Sequence, residues 1–132
     1  MSAPALVVVD AANAVGSVPD GWWRDRHGAT ERLRDRLATA LASSGTVAGV
    51  REPLELVLVV EGAARRVGPV PGVRVVAAPG SGDDAIVGLV TAEGTGRHCV
   101  VVTADRELRR RVSEAGAEVV GPSALPASRP SA

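Results

Sequence analysis

The chain has 132 residues, enough for one domain with a sizeable core. Its 15 basic residues are all Arg and balance 15 acids, so no global basic field draws in nucleic acid. The absence of Lys excludes a catalytic or phosphate-binding lysine, and the lone Cys99 excludes an internal disulfide.

Phe and Tyr are absent and Val dominates, which suits buried strands covered by helices, because β-branched side chains pack well on a pleated surface. Residues 5–9 form a short apolar run ending in Asp10, as expected of a buried parallel strand. A Gly/Pro-bearing loop over 15–27 carries the aromatic pair Trp22-Trp23, of which one is expected to be buried and one exposed. Leu33, Leu37, Ala40 and Leu41 have helical spacing with Arg and Glu on the other face, predicting an amphipathic helix over 30–42.

Residues 54–60 make a second apolar run, stopped by Glu61-Gly62, and 73–77 a third between two Pro-Gly steps. The link over 62–72 contains two prolines and is too broken for a long helix. A helix is predicted over 83–93, a fourth strand over 99–102, a charged helix over 106–115 ended by Gly116, and a last strand over 118–120. Strands alternating with helices indicate a three-layer α/β/α sandwich around a central, mostly parallel sheet of four or five strands. One domain over 1–121 is expected, followed by a frayed Pro/Ser/Ala-rich tail at 122–132. No apolar stretch is long enough to span a bilayer and no leader pattern opens the chain, so a soluble cytoplasmic protein is expected.

The acids fall in a pattern. Ligands of open parallel sheets bind at the C-terminal strand ends. Asp10 ends the first run, Glu61 follows the second, Asp83 and Asp84 open the helix after the third, and Asp105 follows the fourth. Any one of the helix-start acids could simply cap free N–H groups. Together they would repel and raise one another's pKa values, a conflict that a hard divalent cation removes. Mg²⁺ or Mn²⁺ suits an all-oxygen site, whereas His27, His98 and Cys99 lack zinc-ligand spacing. Asn13 adds a neutral oxygen close to Asp10.

Four segments in this order resemble the PIN-like nuclease superfamily, in particular its NYN domains with the YacP-like ribonucleases. They are Val7-Val8-Val9-Asp10-Ala11-Ala12-Asn13, Val59-Val60-Glu61-Gly62, Gly82-Asp83-Asp84-Ala85-Ile86 and Val102-Thr103-Ala104-Asp105-Arg106. The resemblance implies a metal-dependent endonuclease, an endoribonuclease above all, with Mg²⁺ or Mn²⁺ as cofactor. It aligns Asp10, Asn13, Asp83-Asp84, Thr103 and Asp105 with family positions, while Glu61 stands where several relatives have Asp. Asp10, Asp84 and Asp105 are thus the expected core ligands, with Asp83 or Glu61 orienting water or holding a second ion.

Single-stranded RNA is the expected partner, with a ribosome or RNA-processing partner also implied. Arg24, Arg26, Arg65, Arg66 and Arg106 are the candidates to grip its backbone, and Trp22 and Trp23 to stack its bases; Asn13 and Thr103 are expected beside the substrate. Arg109, Arg110 and Arg111 read as a solvated helix face. A catalytically weak RNA- or protein-binding module and a small-molecule phosphohydrolase are the alternatives. Against the second, Asp10 is followed by Ala12 rather than a second Asp, and Gly80-Ser81-Gly82 lacks the lysine of a phosphate loop.

Overall fold

A computed structural model describes residues 3–19 and 21–126. The first apolar run forms β1 (Ala5–Asp10), which passes directly into a short helix α1 (Ala11–Gly16) and then the long α2 (Arg26–Ser44). A small antiparallel hairpin follows, β2 (Thr46–Val47) and β3 (Val50–Arg51), and leads into β4 (Leu54–Val60). The remaining elements are β5 (Arg74–Ala77), α3 (Gly82–Glu93), β6 (Cys99–Val102), α4 (Arg106–Glu114) and β7 (Glu118–Val120).

Five strands make one sheet in the order β5-β4-β1-β6-β7, every neighbouring pair parallel. Alternation along the strands divides the core in two. Val7, Val9, Leu58, Val60 and Val102 face α1 and α2, joined by Leu33 and Leu37. Leu6, Val8, Val57, Val59 and Val101 face α3 and α4, joined by Ile86, Leu108 and Val112. This is the expected three-layer α/β/α sandwich. From β1 the chain builds outward through β4 to β5, then returns past β1 to build β6 and β7 on the other side. The order therefore reverses between β1 and β6, and the crevice at their C-terminal ends is the place where such sheets bind ligands.

Three local features depart from the sequence reading. The expected 15–27 loop is shortened at both ends: α1 runs through Gly16, where Ala11, Ala14 and Val15 bury against the first core behind the Asp10 cap, and α2 starts at Arg26 behind the Asp25 cap rather than at residue 30. The β2–β3 hairpin was not expected from two-residue strands. The segment after Gly121 makes a 3-10 turn, Pro122–Ala124, and buries Leu125, so fraying does not begin at Gly121; residues 127–132 of the expected tail lie outside the described residues. The link between β4 and β5 holds only a 3-10 turn, Gly62–Ala64, as its prolines require. Leu58 is fully buried in the middle of β4. Its replacement by alanine is expected to cost about 2–5 kcal/mol through lost contacts and the cavity left behind. Urea unfolding monitored by circular dichroism measures this; a loss below about 1 kcal/mol would mean the sheet centre is loosely packed.

Candidate active site at the sheet switch point

β1 is buried along its length, so its last residue carries a carboxylate into the sheet edge: Asp10 is only 6% exposed. Thr103, at the end of the neighbouring β6, is fully buried and donates its hydroxyl to Asp10 Oδ2 at 2.9 Å. The same Thr103 Oγ1 accepts the Asp105 N–H at 3.1 Å, and the Asn13 N–H reaches Asp10 Oδ1 at 3.4 Å. Asn13 Oδ1 accepts the Ala104 N–H at 2.8 Å, tying α1 to the loop after β6. Asn13 and Thr103, expected beside the substrate, thus brace the two strands that straddle the switch point. Thr103 lies behind Asp10 and has no surface to offer a ligand.

The other acids arrive from separate elements. Burial pushes the Asp10 carboxyl above its ordinary range; the Thr103 and Asn13 hydrogen bonds oppose this, and the charges of Asp83 and Glu61 add to it. Asp83, half-buried at the start of α3, is likewise held up by desolvation and then by the charges of Asp105, Glu61 and Asp84, with Arg111 opposing. Asp83 forms no hydrogen bond or ion pair among the described residues. It is not needed as a cap, because Ser81 caps α3 through the Asp84 N–H at 3.3 Å.

Asp84 behaves differently. Its side chain is 73% exposed and pairs with Arg111 of α4 at 3.0 Å. The sequence reading placed Asp84 among the core acids and Asp83 in support; the structure turns Asp83 toward the other acids and Asp84 out toward solvent. Ile86 and Val90 stand three and seven positions beyond Asp83 and are buried, whereas Val87 and Thr91 occupy the same relation to Asp84 and are not. That helical periodicity was available in the sequence and separates the two residues. Arg111, grouped with the solvated arginines, was missed as a partner; Arg110 also forms ion pairs, with Glu107 and Glu114.

Glu61 follows β4 and accepts the Gly82 N–H at the start of α3. A Cβ at position 82 would collide with that carboxylate, so Gly82 makes the approach possible. Asp105 caps α4, accepting the Leu108 N–H at 2.8 Å. With Glu61, Asp84 and Asp105 each held by a protein donor, no three Asp, Glu, His or Cys side chains among the described residues converge as a ready-made metal site.

Beside Glu61 opens a cavity of about 400 Å³, walled by α1 and α2 and by Trp22, Arg26, Gly80 and Ser81. Trp22 is half-buried against the first core and Trp23 is 57% exposed, so one indole packs on the core and the other lies at the surface, although neither is fully buried. The two rings meet edge to face at 6.1 Å. The Arg26 guanidinium lies over Trp22 at 5.3 Å and that of Arg24 over Trp23 at 5.6 Å. Arg65, Arg66 and Arg106 are exposed and without an ion pair among the described residues, Arg65 and Arg66 after the Gly62–Ala64 turn and Arg106 directly after Asp105. Among those residues no helix is long and apolar enough to cross a membrane.

No family model matches the chain, and no curated protein matches it in sequence. Among solved structures, that of Rae1 (YacP) from Bacillus subtilis, a point mutant, is similar with a TM-score of 0.66 at 18% identity. The likeness covers 90% of this chain and 70% of that one. At that identity it shows the fold: this chain has the α/β architecture of a YacP protein.

Proposed function

We propose that the chain is a metal-dependent endoribonuclease that hydrolyses phosphodiester bonds of single-stranded RNA, with Mg²⁺ or Mn²⁺ held by Asp10, Asp83 and Asp105 and assisted by Glu61. The observation that carries this reading is that acids from four different elements stand at the switch-point edge of the sheet near enough for burial and their neighbours' charges to raise Asp10 and Asp83, although among the described residues no three of them converge as a ready-made site. Such a set fits a hard cation. Its donors are all carboxylate oxygens, and among the described residues Asp10 is buried without a cationic partner and Asp83 makes no ion pair. The YacP-like fold agrees with it.

When bound, the ion supplies Lewis-acid polarisation of a phosphoryl oxygen and a more acidic water. The chain's own residues do the rest. Thr103 and Asn13 fix Asp10, so that the carboxylate does not reorganise on binding. Arg106, Arg65 and Arg66 offer guanidiniums to flanking phosphates, Arg24 does so from the Trp22-Trp23 turn, and Arg26 meets the strand from over Trp22. A ribosome or other RNA-processing assembly would present such a strand, and the zero net charge of the chain favours delivery over capture from bulk solution.

The test is cleavage of an end-labelled single-stranded RNA in Mg²⁺ and in Mn²⁺, beside DNA of the same sequence. Asp83→Asn is expected to abolish cleavage and Asp84→Asn to lower it less than about tenfold, because Asp84 is spent on Arg111 at the surface. No cleavage with either ion would leave a binding module of this fold. Equal losses in the two variants would return Asp84 to the ligand set.

A further inference from the structure

We infer that the cavity beside Glu61 is a pocket for a single nucleobase, taking one unstacked base of the substrate strand. Its walls have the composition such a ligand needs. Ala11, Ala12, Val15 and Ala64 make an apolar floor, Trp22 and Arg26 bring planar groups suited to stacking, and Ser81 and Glu61 bring polar atoms for the base edge. At about 400 Å³ it falls within the ordinary range of small-molecule sites. A phosphate is the wrong occupant, since Glu61 contributes a carboxylate to the lining. An aliphatic ligand would cover the polar atoms of Arg26, Ser81 and Glu61 without meeting the hydrogen-bonding capacity their present partners leave over.

The position of the pocket ties it to the acids. Glu61 belongs to both, lining the cavity while its charge raises Asp10 and Asp83. One of its oxygens is engaged by the Gly82 N–H, which fixes the carboxylate as an acceptor for amino or imino N–H groups of a base. This adds base recognition to the part Glu61 plays at the edge of the acid cluster, and gives the nuclease a means of choosing where it cuts. The backbone around the cavity leaves the room open: a Cβ added at Gly62 or Gly80 would meet nothing within 4 Å.

The role in cleavage rests on the nuclease reading, but occupancy of the pocket does not, so the two are tested apart. Neutral nucleosides carry no phosphate and need no metal. In EDTA, adenosine, guanosine, cytidine and uridine are titrated into the full chain carrying Trp23→Phe, with Trp22 fluorescence as the readout. Saturable quenching in the millimolar range is expected, strongest for a nucleoside with an amino group. Ala12→Leu, which adds bulk in the cavity from an exposed position of α1, is expected to weaken it at least tenfold with an unchanged Tm. Glu61→Gln is expected to flatten the differences among the four nucleosides. Quenching that fails to saturate, or that survives Ala12→Leu unchanged, would overturn the pocket while leaving the cleavage assay to judge the nuclease.

Discussion

Replacing Asp10 by asparagine is expected to lower metal-dependent RNA cleavage by about a thousandfold, the scale of several kcal/mol of transition-state stabilisation. The fold should survive. Asparagine is isosteric, and its side-chain oxygen can take the place of Oδ2 and accept the Thr103 hydroxyl, now at 2.9 Å. What is lost is the 3.4 Å contact from the Asn13 N–H, the longer of the two. Neutralising the group also removes the cost of burying a charge that is only 6% exposed. The variant should therefore unfold no earlier than the parent in EDTA, while it loses both cleavage and metal binding. Alanine at the same position is a poorer probe, because it strands the fully buried Thr103 hydroxyl at a cost of about 1–3 kcal/mol. If Asp10→Asn retained more than a tenth of the parent rate, Asp10 would be a structural carboxylate and the chemistry would lie elsewhere.

The frame that places Asp10 is legible in the sequence for a physical reason. Strands buried on both faces need continuous apolar runs, and the first polar residue after each run marks the sheet edge. β1, β4, β6 and β7 lie where their Val-rich runs lie, and Asp10, Glu61 and Asp105 follow at the same edge. What escaped the sequence is short or depends on packing. Helix α1 has six residues and no charged face, so periodicity has nothing to act on, and burial of Ala11, Ala14 and Val15 decides its form. The β2–β3 hairpin rests on two residues a side and on Ala48-Gly49, both with positive φ.

The site shows the same division. That acids would gather at one edge follows from strand order alone. Which of two adjacent aspartates faces inward follows from the rotation of α3, set by Ile86 and Val90 against the second core. The pairing of Arg111 with Asp84 follows from the packing of α4 beside α3, which local sequence does not encode. The cavity at Trp22 needs α1, α2 and the loops after β4 and β5 all in place before it exists.

Divalent metal is expected to raise the Tm by about 8 °C when present a hundredfold above its Kd, since linkage then adds about 2.7 kcal/mol to a domain of this size. The effect should grow with pH, and the sign follows from the raised carboxyls. Asp10 and Asp83 have folded-state pKa values above the ordinary 3.8, so through the interval from there upward the folded chain binds more protons than the unfolded one. Unfolding free energy therefore falls as pH rises through that interval, and the full penalty stands once both groups are ionised. Below about pH 4.5 Glu93 and Glu107 work in the opposite sense, because their Arg partners lower them, so the parent is read against Asp83→Asn, which shares both. In EDTA the parent should lose Tm relative to Asp83→Asn as pH climbs from about 3.8 until Asp83 is ionised, and keep that deficit above; Mg²⁺ or Mn²⁺ should restore the parent and leave the variant nearly unmoved. Differential scanning fluorimetry across that range, with and without metal, reads both effects. Parallel curves for parent and variant in EDTA would show that Asp83 carries no strain from its neighbours. A metal shift that persists in Asp83→Asn would move the ion to Asp10 and Asp105 without it.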